Sequence, residues 1–472
     1  MAKIVIEVPD EYAEVGEALK KFMEEITAAT PDTRGGRAVD FAKFERAAEQ
    51  SASALERETL RRLLQCLDID AERVIIDGRA HSRVGRYEAA YATKAGPVNV
   101  ERSIYREVGQ RNAKTVDAVS LRAGALEGGW LPSAAEAMAF LLQQGTSREA
   151  KATADQLGRL PYSRSSFERV AHDVGARFVS AHATIEDALA EAYEVPAEAR
   201  SISLSLDRVS VPMEEPRARP VGRPRKGAAR RPVARNFRMA YCGTVTLHDE
   251  EGEALHTIRY GRMPLGDAAG LCEGMAGDVF VLLRKRPRLK LQLLCDGAPE
   301  MWNLLKAQFS AEVFGDAVHE LVDLCHVVEK LGKAAQAIHG DRGGAVTQGW
   351  KMRLLNRSTA SREILAELQA SGLERVSVGD QKPVHDAITY LNNHDGRFDY
   401  ATARGLGLPI GSGNVEATCK CLFNIRLKRS GSRWKETTGE HIVQLRALAL
   451  SDRWRDALEL TLRPLRTPVR AA

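Results

Sequence analysis

The sequence predicts an α/β domain on a mixed sheet, interrupted by a helical insertion and preceded by a mainly α N-terminal region with a β-hairpin and a helix-turn-helix. Three observations in the 472 residues lead there. Between residues 200 and 343 the apolar pattern switches several times between a period of two and one near 3.6, as when strands and helices alternate. Two of the apolar strand runs give way to an aspartate, Asp207 and Asp296. Finally, a stretch broken by Pro409, Gly411 and Gly413 leads into a helix with Glu416 in its first turn and a basic, aromatic-tipped tail behind it.

Size and composition bound the answer. The chain is too long for one core, so several domains are expected. With 28% charged and 44% hydrophobic residues it has an ordinary globular composition. No run approaches the roughly 18 apolar residues of a membrane span, and the first ten residues carry acids where a signal peptide needs an apolar core, so a cytoplasmic protein is expected. The seven cysteines are odd in number, form no CxxC and sit mostly in apolar runs, which excludes a disulfide framework and a zinc site. A net charge of +5 decides little; where the charge is concentrated matters more.

In chain order, Ile4, Ile6 and Val8 alternate as in a strand, and residues 40–67 carry an imperfect helical stripe that packs on its own domain or on a second protomer. The helical N-terminal region is expected over residues 1–75. The alternation around Gly96-Pro97 then predicts a hairpin within 76–110, either structural or laid on DNA. Over 111–195 a helical domain is expected. In it Thr146 and Glu149 form a capping box, Gly158 and Pro161 turn the chain, and Ser165 with Glu168 caps a short second helix. That helix would carry Arg164 and Arg169 toward a major groove.

A strand from Ser201 ends on or just past Asp207, and a basic mobile loop follows over 214–236. Within it Val221-Gly-Arg-Pro-Arg-Lys226 resembles the centre of an AT-hook, with Arg223, Arg225 and Lys226 available to a minor groove; a merely solvated loop is the alternative. Strand patterns at 237–247 and 255–263 complete a meander. A helix, the strand before Asp296, a helix, the strand before Asp323 and a further helix come next. Meander, then alternating helix and strand, is the ribonuclease-H-like order, a mixed sheet with helices on both faces. This catalytic domain is expected over 200–343 and 405–455, with the helical insertion at 344–404 and a tail at 456–472.

In such a sheet Asp207 and Asp296 end on neighbouring strands, and the helix of Glu416, capped by Ser412 or Asn414, crosses the same edge. Three converging carboxylates repel one another by several kcal/mol unless cations join them. Two Mg²⁺ or Mn²⁺ ions would serve an in-line phosphoryl transfer. Taken singly, each acid also reads as an ordinary turn former or helix-start residue.

The chain resembles bacterial insertion-sequence transposases of the ISKra type, within the group that carries a DDE triad on a ribonuclease-H-like fold. The resemblance is carried by Leu206-Asp207, by Cys295-Asp296-Gly297-Ala298 with Trp302, by Asp323-Leu-Cys-His326, and above all by Pro409-Ile-Gly-Ser-Gly-Asn-Val-Glu416 with Arg426-Leu-Lys-Arg-Ser-Gly-Ser-Arg-Trp434. It implies that Asp207, Asp296 and Glu416 bind two catalytic Mg²⁺ or Mn²⁺ ions. Asp323 and His326 stand beside them, although His326 also reads as a satisfied core histidine. No zinc is implied, since the region after the hairpin lacks the Cys pair of many members. The implied activity is binding of terminal inverted repeats, metal-dependent DNA cleavage and strand transfer by a nucleoid-associated homodimer or higher oligomer. Lys420, Arg426, Lys428, Arg429 and Arg433 would hold phosphates, with Trp434 stacking or buried. A ribonuclease-H-fold nuclease without strand transfer and a domesticated DNA-binding regulator are the rival readings.

Overall fold

The structure, a computed structural model, describes residues 7–31, 36, 38–110, 112–214, 235–314 and 318–472. Two compact units divide the chain: Met1–Ser180 with Leu458–Ala472, and Ala181–Ala457.

The first unit opens with helices α1 (Ala13–Ala29) and α2 (Phe41–Gln65). The strand expected from Ile4, Ile6 and Val8 falls mostly outside the described residues, and from Asp10 the chain is already helical. Tyr12, Val15, Leu19, Phe22 and Ile26 recur at helical spacing and form the apolar face of α1. Strands β1 (Arg73–Ile76), β2 (Arg79–Thr93), β3 (Gly96–Glu107) and β4 (Val116–Asp117) follow.

The hairpin is present, but it turns at Lys94-Ala95, because Thr93 pairs with Gly96 and Ala92 with Pro97. Thr93 closes this turn: its hydroxyl donates to Gly96 O at 2.7 Å and accepts from Ala95 N at 3.1 Å. Gly96, at φ +121°, takes a conformation that a side chain would resist. The hairpin is part of a larger sheet. The terminal strand Val469–Ala471 pairs with β1, giving five strands where the sequence predicted two and a tail. The tail is structured because Ala457, Leu458, Leu462 and Val469 are buried.

Helices α3 (Ala118–Ala123), α4 (Pro132–Gln144), α5 (Ser147–Gln156) and α6 (Arg164–Ala192) complete this part of the chain. The Thr146/Glu149 capping box opens α5 as expected. The second helix departs from expectation in cap and in length. Ser163 Oγ accepts from Ser166 N at 3.2 Å, so Ser163 is the cap, while Glu168 receives the Ser147 hydroxyl. Instead of stopping short, α6 runs 29 residues. Phe167, Val170, Val174, Phe178, Ile185 and Leu189 keep one face apolar, and neither Pro nor a run of turn residues interrupts it.

The second unit is a mixed α/β domain. Strands β5 (Ser201–Glu214), β6 (Arg235–His248) and β7 (Ala254–Arg262) form an antiparallel meander; α7 (Ala268–Lys285), β8 (Lys290–Cys295), α8 (Pro299–Gln308), the single turn α9 (Ala311–Phe314), β9 (Val318–Val322) and α10 (Leu324–His339) follow. The sheet order is β7-β6-β5-β8-β9, with β8 parallel to both β5 and β9, consistent with the ribonuclease-H-like core that the sequence predicts.

Two glycines show which helices cover which face. A Cβ on Gly243 would strike Leu271 and Met275 of α7, whereas one on Gly261 would strike Leu422, Phe423 and Val443. Gly243 pairs with Tyr260 and Gly261 with Cys242, so the two glycines face opposite sides and helices cover both.

Residues 343–405 form α11 (Gly343–Asn356), α12 (Ala360–Ala370), α13 (Pro383–Asn393) and α14 (Tyr400–Gly405). This helical insertion buries Trp350, Leu354, Ile364, Leu368, Ile388 and Leu391 in the same apolar cluster as the sheet. After it come α15 (Gly413–Cys419), a π turn over Lys420–Asn424, the short α16 (Ile425–Leu427) and α17 (Glu436–Leu450). The Gly-Arg-Pro segment with Arg223, Arg225 and Lys226 lies outside the described residues. No described helix is long and apolar enough to cross a membrane.

Candidate active site

The register of the parallel strands brings three aspartates into one row. The β5–β8 pairs run from Ser201 and Lys290 to Leu204 and Leu293, so Asp207 and Asp296 each stand three residues further on. On the other side Cys295 pairs with Val322, so Asp296 and Asp323 are level as well. Parallel strands put their carboxyl ends at one edge, and ligands gather there in open α/β sheets. One expectation needs correcting: β5 does not end at Asp207. It continues to Glu214, paired all the way with β6, and Asp207 leaves the core sheet only because β8 stops. Strand length is set by the partner strand, and the acid does not terminate it.

Each carboxylate has its own surroundings. Asp207 Oδ1 accepts from Arg208 N at 2.6 Å, and Oδ2 accepts from the Cys419 thiol at 3.3 Å. A hydrogen bond with Cys242, then burial, then the Asp207 charge push the Cys419 thiol strongly up, so it remains a donor. Asp296 Oδ1 accepts from Ala298 N at 3.0 Å, and its backbone carbonyl accepts from Trp302 Nε1 at 2.8 Å.

Asp323, 1% exposed, takes four donors: His326 N at 3.0 Å and His326 Nδ1 at 3.2 Å on Oδ1, and Ser412 N with Ser412 Oγ on Oδ2. Burial works against its charge, yet the His326 and Ser412 donors hold this carboxyl well below the usual range. The same hydrogen bond to Asp323 raises His326 to about 9.

Asp323 thereby connects two helix starts. It caps α10 through His326 N and grips Ser412, the residue that opens α15. Ser412 is the N-cap by position, but its hydroxyl is engaged by Asp323, a tertiary bond that the sequence reading of a plain cap misses. Glu416 follows in the first turn of α15, its Oε1 4.0 Å from His326 Nδ1. Val415, Cys419, Leu422 and Phe423 form the buried face as expected.

The donor atoms of Asp323, His326 and Glu416 lie within 4.8 Å of one another. A carboxylate offers about four lone-pair sites, and Asp323 has all of them occupied. It therefore acts as a pin rather than as an open ligand. Asp207, Asp296 and Glu416 have the opposite character: among the described residues no Lys or Arg pairs with them, and Asp296 Oδ2 and the Glu416 carboxylate keep open positions. Arg208, the nearest base in sequence, is drawn away to Glu300. An all-oxygen set with no Lys or Arg paired to it, and with only His326 4.0 Å from Glu416, fits hard divalent cations.

The predicted DNA-contact residues divide. Arg164 and Arg169 are exposed, the first donating to Ser147 Oγ at 3.4 Å and the second 5.9 Å from the Trp130 ring. On the hairpin, Arg83, Arg86 and Arg102 pair with Asp70 and Asp117, which supports the structural alternative there. Lys420, Lys428 and Arg433 are exposed, and Arg429 is half-buried with Nε on Ile425 O at 3.3 Å.

Arg426 does not face solvent. It is 4% exposed, its guanidinium 4.9 Å from the Trp434 ring centre. Residues 415, 419, 422 and 426 share one helical stripe, a signal visible in the sequence but overridden by the basic composition around it. Trp434 is half-buried; Nε1 donates to Leu427 O at 3.1 Å and its backbone hydrogen-bonds with Pro212 and Glu214 of β5. Sequence reasoning also missed Cys419 and Tyr390: the first read simply as apolar, and the second, on α13, lay in a segment with no motif.

The fold and the site define an α/β protein with acids clustered at the carboxyl edge of a mixed sheet. Neither a family model nor a curated protein matches the chain. Among solved structures, the chain is similar to one described as the Drosophila P element transposase strand transfer complex, at 11% identity over 69% of this chain and 80% of that one, with a TM-score of 0.22.

Proposed function

We propose that the chain is the DDE transposase of an insertion sequence, binding the terminal inverted repeats of its element, cutting there and joining the freed ends to target DNA. The observation that carries this reading is the level placement of Asp207 and Asp296 at one sheet edge, with Glu416 held to that edge by the Asp323–Ser412 contact. Asp207, Asp296 and Glu416 would hold two Mg²⁺ or Mn²⁺ ions. Bound there, the ions would supply charge neutralisation around phosphorus and activate the attacking oxygen.

The protein's own groups have three tasks. Asp323 and His326 fix the start of α15 and with it Glu416. Cys419 holds one oxygen of Asp207, leaving the carboxylate a defined orientation. Lys420, Lys428 and Arg433 meet the phosphates of duplex DNA. Water and then a DNA 3′-OH would attack phosphorus, so no protein nucleophile is required. Bringing two element ends together asks for at least a dimer.

The test is to incubate the purified protein with labelled duplex from the borders of its gene, with Mg²⁺ or Mn²⁺, beside Asp296→Asn. The expected result is nicks at the boundary and joined products, both lost in the variant. Nicks without joined products would leave a nuclease, border binding without cleavage would favour a DNA-binding regulator, and cleavage by Asp296→Asn would mean that the site lies elsewhere.

A further inference from the structure

The helical insertion reaches the Asp296 loop through Tyr390, near the end of α13, and through His394 and Arg397 in the turn that follows it. The Tyr390 ring lies flush on Gly297: a Cβ there would come within 2.2 Å of Tyr390 Cε2. The buried His394 ring hydrogen-bonds the backbone of Gly297. Arg397 places its guanidinium 4.3 Å from the Trp302 ring centre, and the Trp302 N–H holds the Asp296 carbonyl. Arg397 is itself fixed, with Nε donating to Glu320 Oε2 at 2.6 Å.

One group here is unsatisfied. The Tyr390 hydroxyl is shut off from solvent and has no hydrogen-bond partner among the described residues. Burial pushes it well up, and the charges of Asp296 and Asp323 act in the same direction; a Cβ on Gly297, the residue after Asp296, would come within 2.8 Å of this hydroxyl. A buried O–H without an acceptor is costly, and one beside a functional site calls for an explanation. Asp323 has no capacity left, since four donors fill it. Asp296 has: among the described residues only its Oδ1 is engaged, by Ala298 N.

We propose that the insertion is a positioning device for Asp296 and that Tyr390 is the residue through which it acts, its hydroxyl donating to the free carboxylate oxygen, Oδ2, when a divalent cation occupies the site. The donor fixes one oxygen, so the carboxylate presents a single orientation to the cation. Gly297 is needed because any side chain there would displace the ring. This inference rests on the reading of Asp296 as a cation ligand.

The test measures Mn²⁺ binding to the full-length protein by electron paramagnetic resonance, together with thermal unfolding, for the wild type, Tyr390→Phe, Asp296→Asn and the double variant. Phenylalanine keeps the ring on Gly297 and deletes only the hydroxyl. The expected result is roughly 10- to 100-fold weaker Mn²⁺ binding in Tyr390→Phe, the size of one hydrogen bond to a charged group, with an unfolding midpoint that does not fall. The double variant should bind no more weakly than Asp296→Asn alone. If Asp296→Asn loses Mn²⁺ while Tyr390→Phe binds like the wild type, the role of Tyr390 is overturned and the site reading stands. If Asp296→Asn itself binds like the wild type, the site reading falls and takes this inference with it. Weaker binding of Tyr390→Phe together with a matching fall in the midpoint would make Tyr390 a packing residue only.

Discussion

Asp323→Asn separates a pin from a ligand. The substitution keeps the shape of the side chain and removes the charge, and its amide nitrogen cannot accept. Of the four donors on Asp323, two meet the remaining carbonyl oxygen and two, on His326 or on Ser412, lose their acceptor. Hydrogen bonds to a charged group contribute about 1.5–3 kcal/mol each, so a destabilisation of about 3–6 kcal/mol is expected, read as a shift in urea midpoint at constant slope. Its pH dependence is fixed in sign. The lowered carboxyl contributes stability that is whole above its ordinary value near pH 4 and is lost as the pH falls through the folded value. The raised His326 contributes stability that is whole below about pH 6.5 and is lost as the pH rises through about 9. The gap between wild type and variant should therefore be widest between about pH 4 and 6.5 and narrow, without closing, as the pH rises through about 9. A freed α15 would also misplace Glu416, and on the proposed catalytic role of Glu416 an ångström-scale shift costs roughly 10²-fold in rate. Cleavage abolished with full stability retained would refute this reasoning and make Asp323 a ligand.

Three further predictions follow from the same structure. Neutralising Lys420, Lys428 and Arg433 should flatten the salt dependence of border-duplex binding by roughly 0.9 in log–log slope for each phosphate left without its cation, whereas Arg426→Ala should leave the slope alone and lower the unfolding midpoint, because Arg426 packs on Trp434; a slope that follows Arg426 would reverse the assignment. Gly261→Ala drives a methyl within 2.5 Å of Val443 Cγ1 and 2.7 Å of Leu422 Cδ2, and overpacking of this kind should cost about 1–3 kcal/mol in chemical denaturation. Burial lowers His248 to about 4, so the unfolded chain takes up a proton below about pH 6.5 that the folded chain refuses until about pH 4; stability should fall by about 3 kcal/mol across that window as the pH drops, and His248→Gln should remove most of this slope.

The sheet of the second unit was legible because its strands are long apolar runs set off by turns, and its order fixes that Asp207 and Asp296 are neighbours. The sheet of the first unit was not, because β1 is closed by Val469–Ala471 from the other end of the chain, and no local period announces such a pairing. Length defeats the reading of α6, where a real cap and a real turn suggest a compact motif although the apolar face runs on. The site divides along a line that residue type cannot draw. Asp323 and Asp296 are both strand-end aspartates, standing level on adjacent strands. What tells them apart is how many donors each has, and those donors come from α10, from the residue before α15 and from the loop after β8. An acid whose lone pairs are all taken is fixed in place and can only hold other groups; an acid with a free oxygen can meet a cation. The hydrogen bonds of Asp323 thus give Glu416 its place, and the open oxygens of Asp296 and Glu416 leave room for the proposed cations.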